Sequence, residues 1–126
     1  METKKTILII EDEKILRESI HIGLESDKFK IIEARDGEEG LIMALREHPD
    51  LILLDLIMPQ MDGMTMLRKL RSDDWGKKVP VIILTNLTSS DEKRNKDVSE
   101  LTPSYYLEKT QMSIDQIIEK VNEILF

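Results

Sequence analysis

Short apolar runs alternate along the chain with stretches in which apolar residues recur every three or four positions. The runs predict strands, because a strand covered on both faces needs a nearly continuous apolar sequence. The recurring spacing predicts helices, since it gathers apolar side chains on one side of a helix. The predicted strands are residues 6–10, 29–34, 51–55, 81–84 and 105–107.

Five helices are predicted, one after each strand. In the first, the apolar positions at helical spacing are 15, 16, 20, 23 and 24, and in the last they are 114, 117, 118, 121, 124 and 125. A capping residue followed three positions later by Glu or Gln marks helix starts at Asp36 with Glu39, Ser89 with Glu92 and Ser113 with Gln116. His48 and Pro49 end the second helix. The third spans residues 63–72, and the polar fourth, residues 91–100, is expected to be the least stable element.

Strict alternation of strand and helix predicts an α/β fold with a doubly wound, five-stranded parallel sheet. The expected strand order is 2-1-3-4-5, the flavodoxin-like (βα)5 arrangement. With 126 residues, the chain has the length of one domain, so residues 1–126 are interpreted as a single domain. Ligands of such a sheet bind at the carboxyl ends of the strands, near the switch between the first and third.

The amino-acid composition excludes several kinds of site and of binding partner. The absence of cysteine excludes disulfides, thiolate zinc sites and cysteine nucleophiles. A net charge of −7 without a dense Lys/Arg face argues against direct nucleic-acid binding. The apolar runs are too short to span a bilayer and the N-terminus lacks a signal peptide, so no membrane association and a cytoplasmic location are expected.

Ionisable or hydroxylic residues stand at the predicted carboxyl ends of four strands: Glu11, Asp12, Asp55, Thr85 and Lys109. Each alone has an ordinary explanation, such as a helix cap or a solvated side chain. Asp55 is harder to explain, because it ends an apolar run where an unpaired charge is costly. Clustered carboxylates repel one another unless a cation joins them, and oxygen ligands suit Mg²⁺. A lysine and a hydroxyl opposite could then hold a phosphoryl group.

The segment after the third strand carries the most specific motif, Asp55-Leu56-Ile57-Met58-Pro59-Gln60-Met61-Asp62-Gly63. Together with the acidic pair Glu11-Asp12, Thr85 and Lys109, it resembles the receiver domain of response regulators in two-component signal transduction, a chemotaxis-regulator-like fold. The resemblance covers essentially the whole chain, in order and with receiver-like spacing.

The resemblance implies that Asp55 accepts a phosphoryl group from a histidine kinase or a phosphotransfer protein, assisted by Thr85 and Lys109. It also implies a metal site for Mg²⁺ or Mn²⁺. The ligands would be Asp12, Asp55, the backbone carbonyl of Ile57 and, mostly through water, Glu11. Such a chain catalyses its own phosphorylation and slow dephosphorylation and is not a classical enzyme.

Signalling would follow from Thr85 and from Tyr106, the expected switch aromatic. Their movement would reshape the face formed by the fourth helix, fifth strand and fifth helix, and so alter contacts with an unknown downstream protein. Tyr106 is alternatively a half-buried edge aromatic. The expected state is a monomer or a phosphorylation-dependent dimer.

Thr110 and Asn86 depart from the receiver pattern, and Ile57 and Leu87 bear on the loss of the phosphoryl group. Thr110 replaces the usual proline after Lys109, which predicts a trans 109–110 peptide bond. Asn86 replaces a small residue and is expected to narrow access to the phosphoryl pocket. Ile57 and Leu87 flank the path of hydrolytic water without a polar group, so slow self-dephosphorylation is expected.

Two other functions share part of this pattern. A haloacid-dehalogenase-like phosphatase also uses an aspartyl nucleophile, but it needs a second Asp two residues later, where Ile57 stands. Its nucleophile also follows the first strand instead of the third. A binding module that is never phosphorylated stays open because of Asn86 and Thr110.

Overall fold

A five-stranded parallel sheet forms the centre of the molecule, with the order β2-β1-β3-β4-β5. The strands are β1 (Lys5–Ile10), β2 (Phe29–Ala34), β3 (Leu51–Asp55), β4 (Val81–Thr85) and β5 (Tyr105–Glu108). The computed structural model describes residues 4–56, 58, 61–85, 103, 105–108 and 113–126, with residues 85, 105, 106 and 108 through their backbones alone. The predicted fold class and strand order are confirmed.

Four helices lie in the described part of the chain: α1 (Lys14–Leu24), α2 (Gly37–Glu47), α3 (Gly63–Arg71) and a C-terminal helix (Ile114–Leu125). Asp36 Oδ1 accepts the Glu39 N–H at 2.8 Å, as its sequence position predicts. Ser113 and Gln116 form the full reciprocal capping box. His48 ends α2 in the left-handed conformation. The predicted fourth helix, residues 91–100 with its cap at Ser89, lies outside the described residues.

The sheet is covered on both faces. Ile7 and Ile9 of β1 share one apolar cluster with residues of α1 and the C-terminal helix, including Ile20 and Val121. Leu8 and Ile10 share the opposite cluster with residues of α2 and α3. Because successive side chains of a strand point to opposite faces, β1 must be apolar throughout to serve both clusters. This explains why the central strands read as continuous apolar runs.

The buried face of α1 agrees with its apolar pattern at Ile20 and Leu24 but not at Ile15. Ile15 is 82% exposed, although its position in the apolar pattern predicts burial. The buried residues of α1 are Arg17, Ile20 and Leu24, which recur at helical spacing. A basic side chain therefore occupies a position on the face that packs against the sheet.

No described helix has the length and apolar character needed to cross a bilayer.

Gly63 begins α3 at a point where the chain returns to the end of β3. Its N–H donates to the Leu56 carbonyl oxygen at 2.9 Å. A Cβ at this position would overlap the Asp55 carbonyl oxygen and lie 2.6 Å from Leu56 Cα. The glycines of the described residues all have negative φ, so close approach to backbone, not a left-handed conformation, requires glycine here.

We expect Gly63→Ala to lower the free energy of unfolding by about 1–3 kcal/mol, because rigid backbone cannot move aside for the added methyl group. Gly23→Ala is the matched control. Its Cβ would meet side-chain atoms of Ile114 and Ile118 in the C-terminal helix, and side chains can move aside where backbone cannot. Urea denaturation measures both variants, and an equal or smaller loss for Gly63→Ala would contradict the close-approach explanation.

Candidate functional site

The carboxyl ends of β1 and β3 bring three acidic residues together. Ile10 pairs with Leu54 in the sheet, so the residues that follow them, Glu11 and Asp55, are neighbours at the same edge. Carboxylate oxygens of Glu11, Asp12 and Asp55 all lie within 4.8 Å of one another. Glu11 is 0% exposed and Asp55 2% exposed, whereas Asp12 is exposed. We call these three residues the carboxylate cluster.

The charges of the carboxylate cluster determine its chemistry. Ionised carboxylates at this separation repel one another, and burial of two of them removes the water that would weaken the repulsion. A divalent cation relieves this repulsion, and carboxylate oxygens are the donors that Mg²⁺ and similar hard cations prefer. The donor set therefore fits a single divalent cation, with room for water on the exposed side at Asp12.

Three contacts orient Glu11. Its N–H donates to the Ala34 carbonyl oxygen at 3.1 Å. Its Oε2 accepts the Glu13 N–H at 3.1 Å. Its main-chain oxygen accepts a hydrogen bond from Nη1 of Arg17 at 2.8 Å. Backbone and side chain are both held, so the direction of the Glu11 carboxylate is set by the fold.

Arg17 belongs to a charged network that the sequence reasoning missed. Its Nε donates to Glu33 Oε1 at 2.8 Å, and His21 Nδ1 lies 2.6 Å from Glu33 Oε2. His21 is half-buried, and Glu33 is its carboxylate partner. The available signal was the spacing of Arg17 with Ile20 and Leu24, which puts a basic residue on the apolar face of α1.

The other predicted site residues are described in part. Asp55 pairs with Leu84, and the next residue of β4, Thr85, pairs with Glu108 of β5. The backbone of Thr85 therefore lies at the same edge of the sheet as the carboxylate cluster. The side chains of Thr85 and Tyr106 are outside the described part of the structure, and so are Ile57, Asn86, Leu87, Lys109 and Thr110. The expected trans 109–110 bond also lies outside it.

The sequence of the chain is similar to those of known response regulators. The sequence profile of the response regulator receiver domain matches residues 7–122. The chain is 39% identical over 90 residues to a probable transcriptional regulator, ycf27, of Porphyridium aerugineum, covering 71% of this chain and 36% of that protein. It is 38% identical over 87 residues to the DNA-binding dual master transcriptional regulator RpaA of Synechocystis, covering 69% and 36%.

A solved structure shows the same likeness in three dimensions. The receiver domain of the Francisella response regulator 1452 superposes with a TM-score of 0.83 at 30% identity, covering 96% of each chain. The chain spans about a third of the length of the two regulators named above. One of them is named as DNA-binding, so the expectation of no nucleic-acid contact applies to these 126 residues alone.

The profile match extends over nearly the whole chain, and the sheet order and the position of the carboxylate cluster agree with it. The resemblance that the strand-end residues suggest is thereby confirmed. The chain belongs to the response regulator receiver domain family of two-component systems.

Proposed function

We propose that this chain is a phosphorylation-dependent signalling switch that accepts a phosphoryl group on Asp55 from a histidine kinase or a phosphotransfer protein. Receiver domains of response regulators accept phosphate on an aspartate and act as switches, not as classical enzymes. The observation that carries the proposal is the placement of Asp55. It is the last residue of β3, is 2% exposed, and has the carboxylates of Glu11 and Asp12 within 4.8 Å.

The proposed transfer is a displacement at phosphorus. A carboxylate oxygen of Asp55 forms a bond to phosphorus while the bond from phosphorus to the imidazole nitrogen of the kinase phosphohistidine breaks. The electron pair leaves with that nitrogen, which takes a proton from solvent. Hydrolysis reverses the state: water attacks phosphorus, the bond to Asp55 breaks, and the carboxylate and inorganic phosphate are released.

The carboxylate cluster is the proposed metal site. Asp12, Asp55 and the backbone carbonyl of Ile57 would hold Mg²⁺ or Mn²⁺ directly, with Glu11 acting mostly through water. The buried oxygen donors of Glu11 and Asp55 support this proposal. When bound, the cation offsets the negative charge of the phosphoryl oxygens.

Lys109 and Thr85 are the proposed partners of the phosphoryl oxygens. The register of β4 and β5 supports this, because Thr85 pairs with Glu108 and Lys109 is the next residue in the sequence. In the proposed switch, Thr85 and Tyr106 respond to the phosphoryl group. The output would be a changed contact with a downstream protein at the face formed by residues 91–100, β5 and the C-terminal helix.

The domain extent, oligomeric state, location and partners of the chain are also part of the proposal. Residues 1–126 form one receiver domain, a monomer or a phosphorylation-dependent dimer, acting in the cytoplasm. Response regulators interact with histidine kinases, which supports a kinase as the phosphoryl donor. A net charge of −7 favours partners with basic patches.

Incubation with a small acyl-phosphate donor and Mg²⁺ should add the mass of one phosphoryl group to the intact protein. Asp55→Asn should add none, because an amide is a far weaker nucleophile than a carboxylate. Asp62→Asn is the matched control. Asp62 caps α3 through its Oδ1, and Asn is an equally good cap, so this variant should be modified as fully as the wild type.

Two results would contradict the proposal: an adduct that persists in Asp55→Asn, or none in folded wild-type protein that binds Mg²⁺. The second result would favour the binding module that is never phosphorylated. Omission of metal should abolish the adduct and serves as the further control.

Mg²⁺ at ten times its dissociation constant should raise the free energy of unfolding of the wild type by about 1.4 kcal/mol. Asp55→Asn should lose most of this increment. Without metal, it should be about 1 kcal/mol more stable than wild type, because one of three repelling charges is gone. Asp115→Asn, at an exposed position in the first turn of the C-terminal helix, should keep the full increment. An unchanged increment in Asp55→Asn would count against the metal site.

The phosphoryl group on Asp55 should be lost slowly, because Ile57 and Leu87 offer no polar group to orient water. Ile57→Asn should raise the rate constant of hydrolysis about tenfold or more. Single-turnover decay of the phosphorylated protein, followed by intact mass, measures it. A short lifetime in wild type that the substitution leaves unchanged would refute the explanation.

A further inference from the structure

Arg17 connects three elements of the fold behind the carboxylate cluster. It lies in α1 and is 9% exposed, and its guanidinium reaches both the end of β1 and a side chain of β2. The acceptor at the end of β1 is the main-chain oxygen of Glu11, the residue directly after the strand, at 2.8 Å from Nη1. The acceptor in β2 is Glu33, whose other carboxylate oxygen lies 2.6 Å from His21.

Burial of this arginine is not explained by stability. The desolvation of a guanidinium and a carboxylate offsets most of what their attraction contributes, and apolar residues of similar size are often as stable in such positions. The specific feature of Arg17 is instead where it points. It holds the main chain at the junction from which the carboxylates of Glu11 and Asp12 project.

We propose that Arg17 is a positioning residue of the metal site, acting through the backbone of Glu11. This inference rests on the proposed binding of a divalent cation by the carboxylate cluster. Glu33 and His21 fix the guanidinium, the guanidinium fixes the Glu11 carbonyl, and the acidic pair is thereby presented to Asp55. Groups that orient metal ligands in this indirect way contribute strongly to metal affinity.

The charge of Arg17 works in the opposite direction to its contacts. A fixed positive charge near the carboxylate cluster repels an incoming cation, so its removal alone would tighten metal binding. Loss of positioning would weaken it. The sign of the change in affinity therefore distinguishes the two effects.

Isothermal titration calorimetry with Mg²⁺ at constant ionic strength tests the proposal on the full chain. We expect Arg17→Met, of similar length but without donors or charge, to raise the dissociation constant about tenfold. Arg17→Lys keeps the charge but cannot bridge both acceptors, and should raise it about threefold or more. The control is Arg46→Met, since Arg46 lies 64% exposed on α2 and pairs with the adjacent Glu47, and its dissociation constant should stay at the wild-type value.

Circular dichroism and urea denaturation of the same samples show whether each variant is folded and how stable it is. If Arg17→Met does not fold, Arg17→Lys decides the question. Tighter binding by Arg17→Met with wild-type binding by Arg17→Lys would overturn the proposal in favour of a pure charge effect. Unchanged dissociation constants with lowered stability would reduce Arg17 to a structural role and equally overturn it. Absence of Mg²⁺ binding by the wild type would instead refute the metal site itself.

Discussion

Three carboxylates, those of Glu11, Asp12 and Asp55, lie close enough at one edge of the sheet to repel one another. Two of them, those of Glu11 and Asp55, are almost completely removed from water. Charged groups in such a place require compensation by a cation, hydrogen bonds or protonation. In the described part of the chain, specific contacts hold the backbone of Glu11 and of Leu56 beside them.

Several independent devices fix those positions. The pairing of Ile10 with Leu54 sets Glu11 beside Asp55. Gly63 lets α3 begin against the backbone of Asp55, and its N–H donates to the Leu56 carbonyl oxygen directly after β3. Arg17 holds the other side of the cluster through the carbonyl of Glu11. Rigidity of this kind suits phosphoryl transfer, in which positioning and electrostatic stabilisation supply most of the catalysis.

Elements that depend on local sequence could be predicted well. The bounds of β2 and β3 agree with the sequence prediction. For β3 the reason is its apolar run, which has few alternatives in a doubly wound sheet. The end of α2 at His48 also followed from local chemistry. The exposure of Ile15 did not, because hydrophobicity shows which residues favour burial and not which side of a helix meets the sheet.

The candidate site divides in the same way. The acidic residues were predictable because each stands at or just after the carboxyl end of an apolar strand, and parallel strands end at a common edge. The contact of Arg17 with Glu33 was not, since it depends on the register that pairs Ile9 with Glu33 across two strands. That register is a property of the assembled sheet. The acidic motif is thus visible in the local sequence, whereas the contact of Arg17 with Glu33 appears only in the folded chain.

The proposed cation site joins Glu11, Asp12 and Asp55 at the carboxyl ends of β1 and β3. A crystal of the protein soaked in Mn²⁺ tests it most directly, because the anomalous signal of manganese locates the ion without assumptions about its ligands. We expect a single strong anomalous peak bounded by oxygens of these three residues. A peak elsewhere, or no peak at a Mn²⁺ concentration well above the dissociation constant measured in solution, would contradict it.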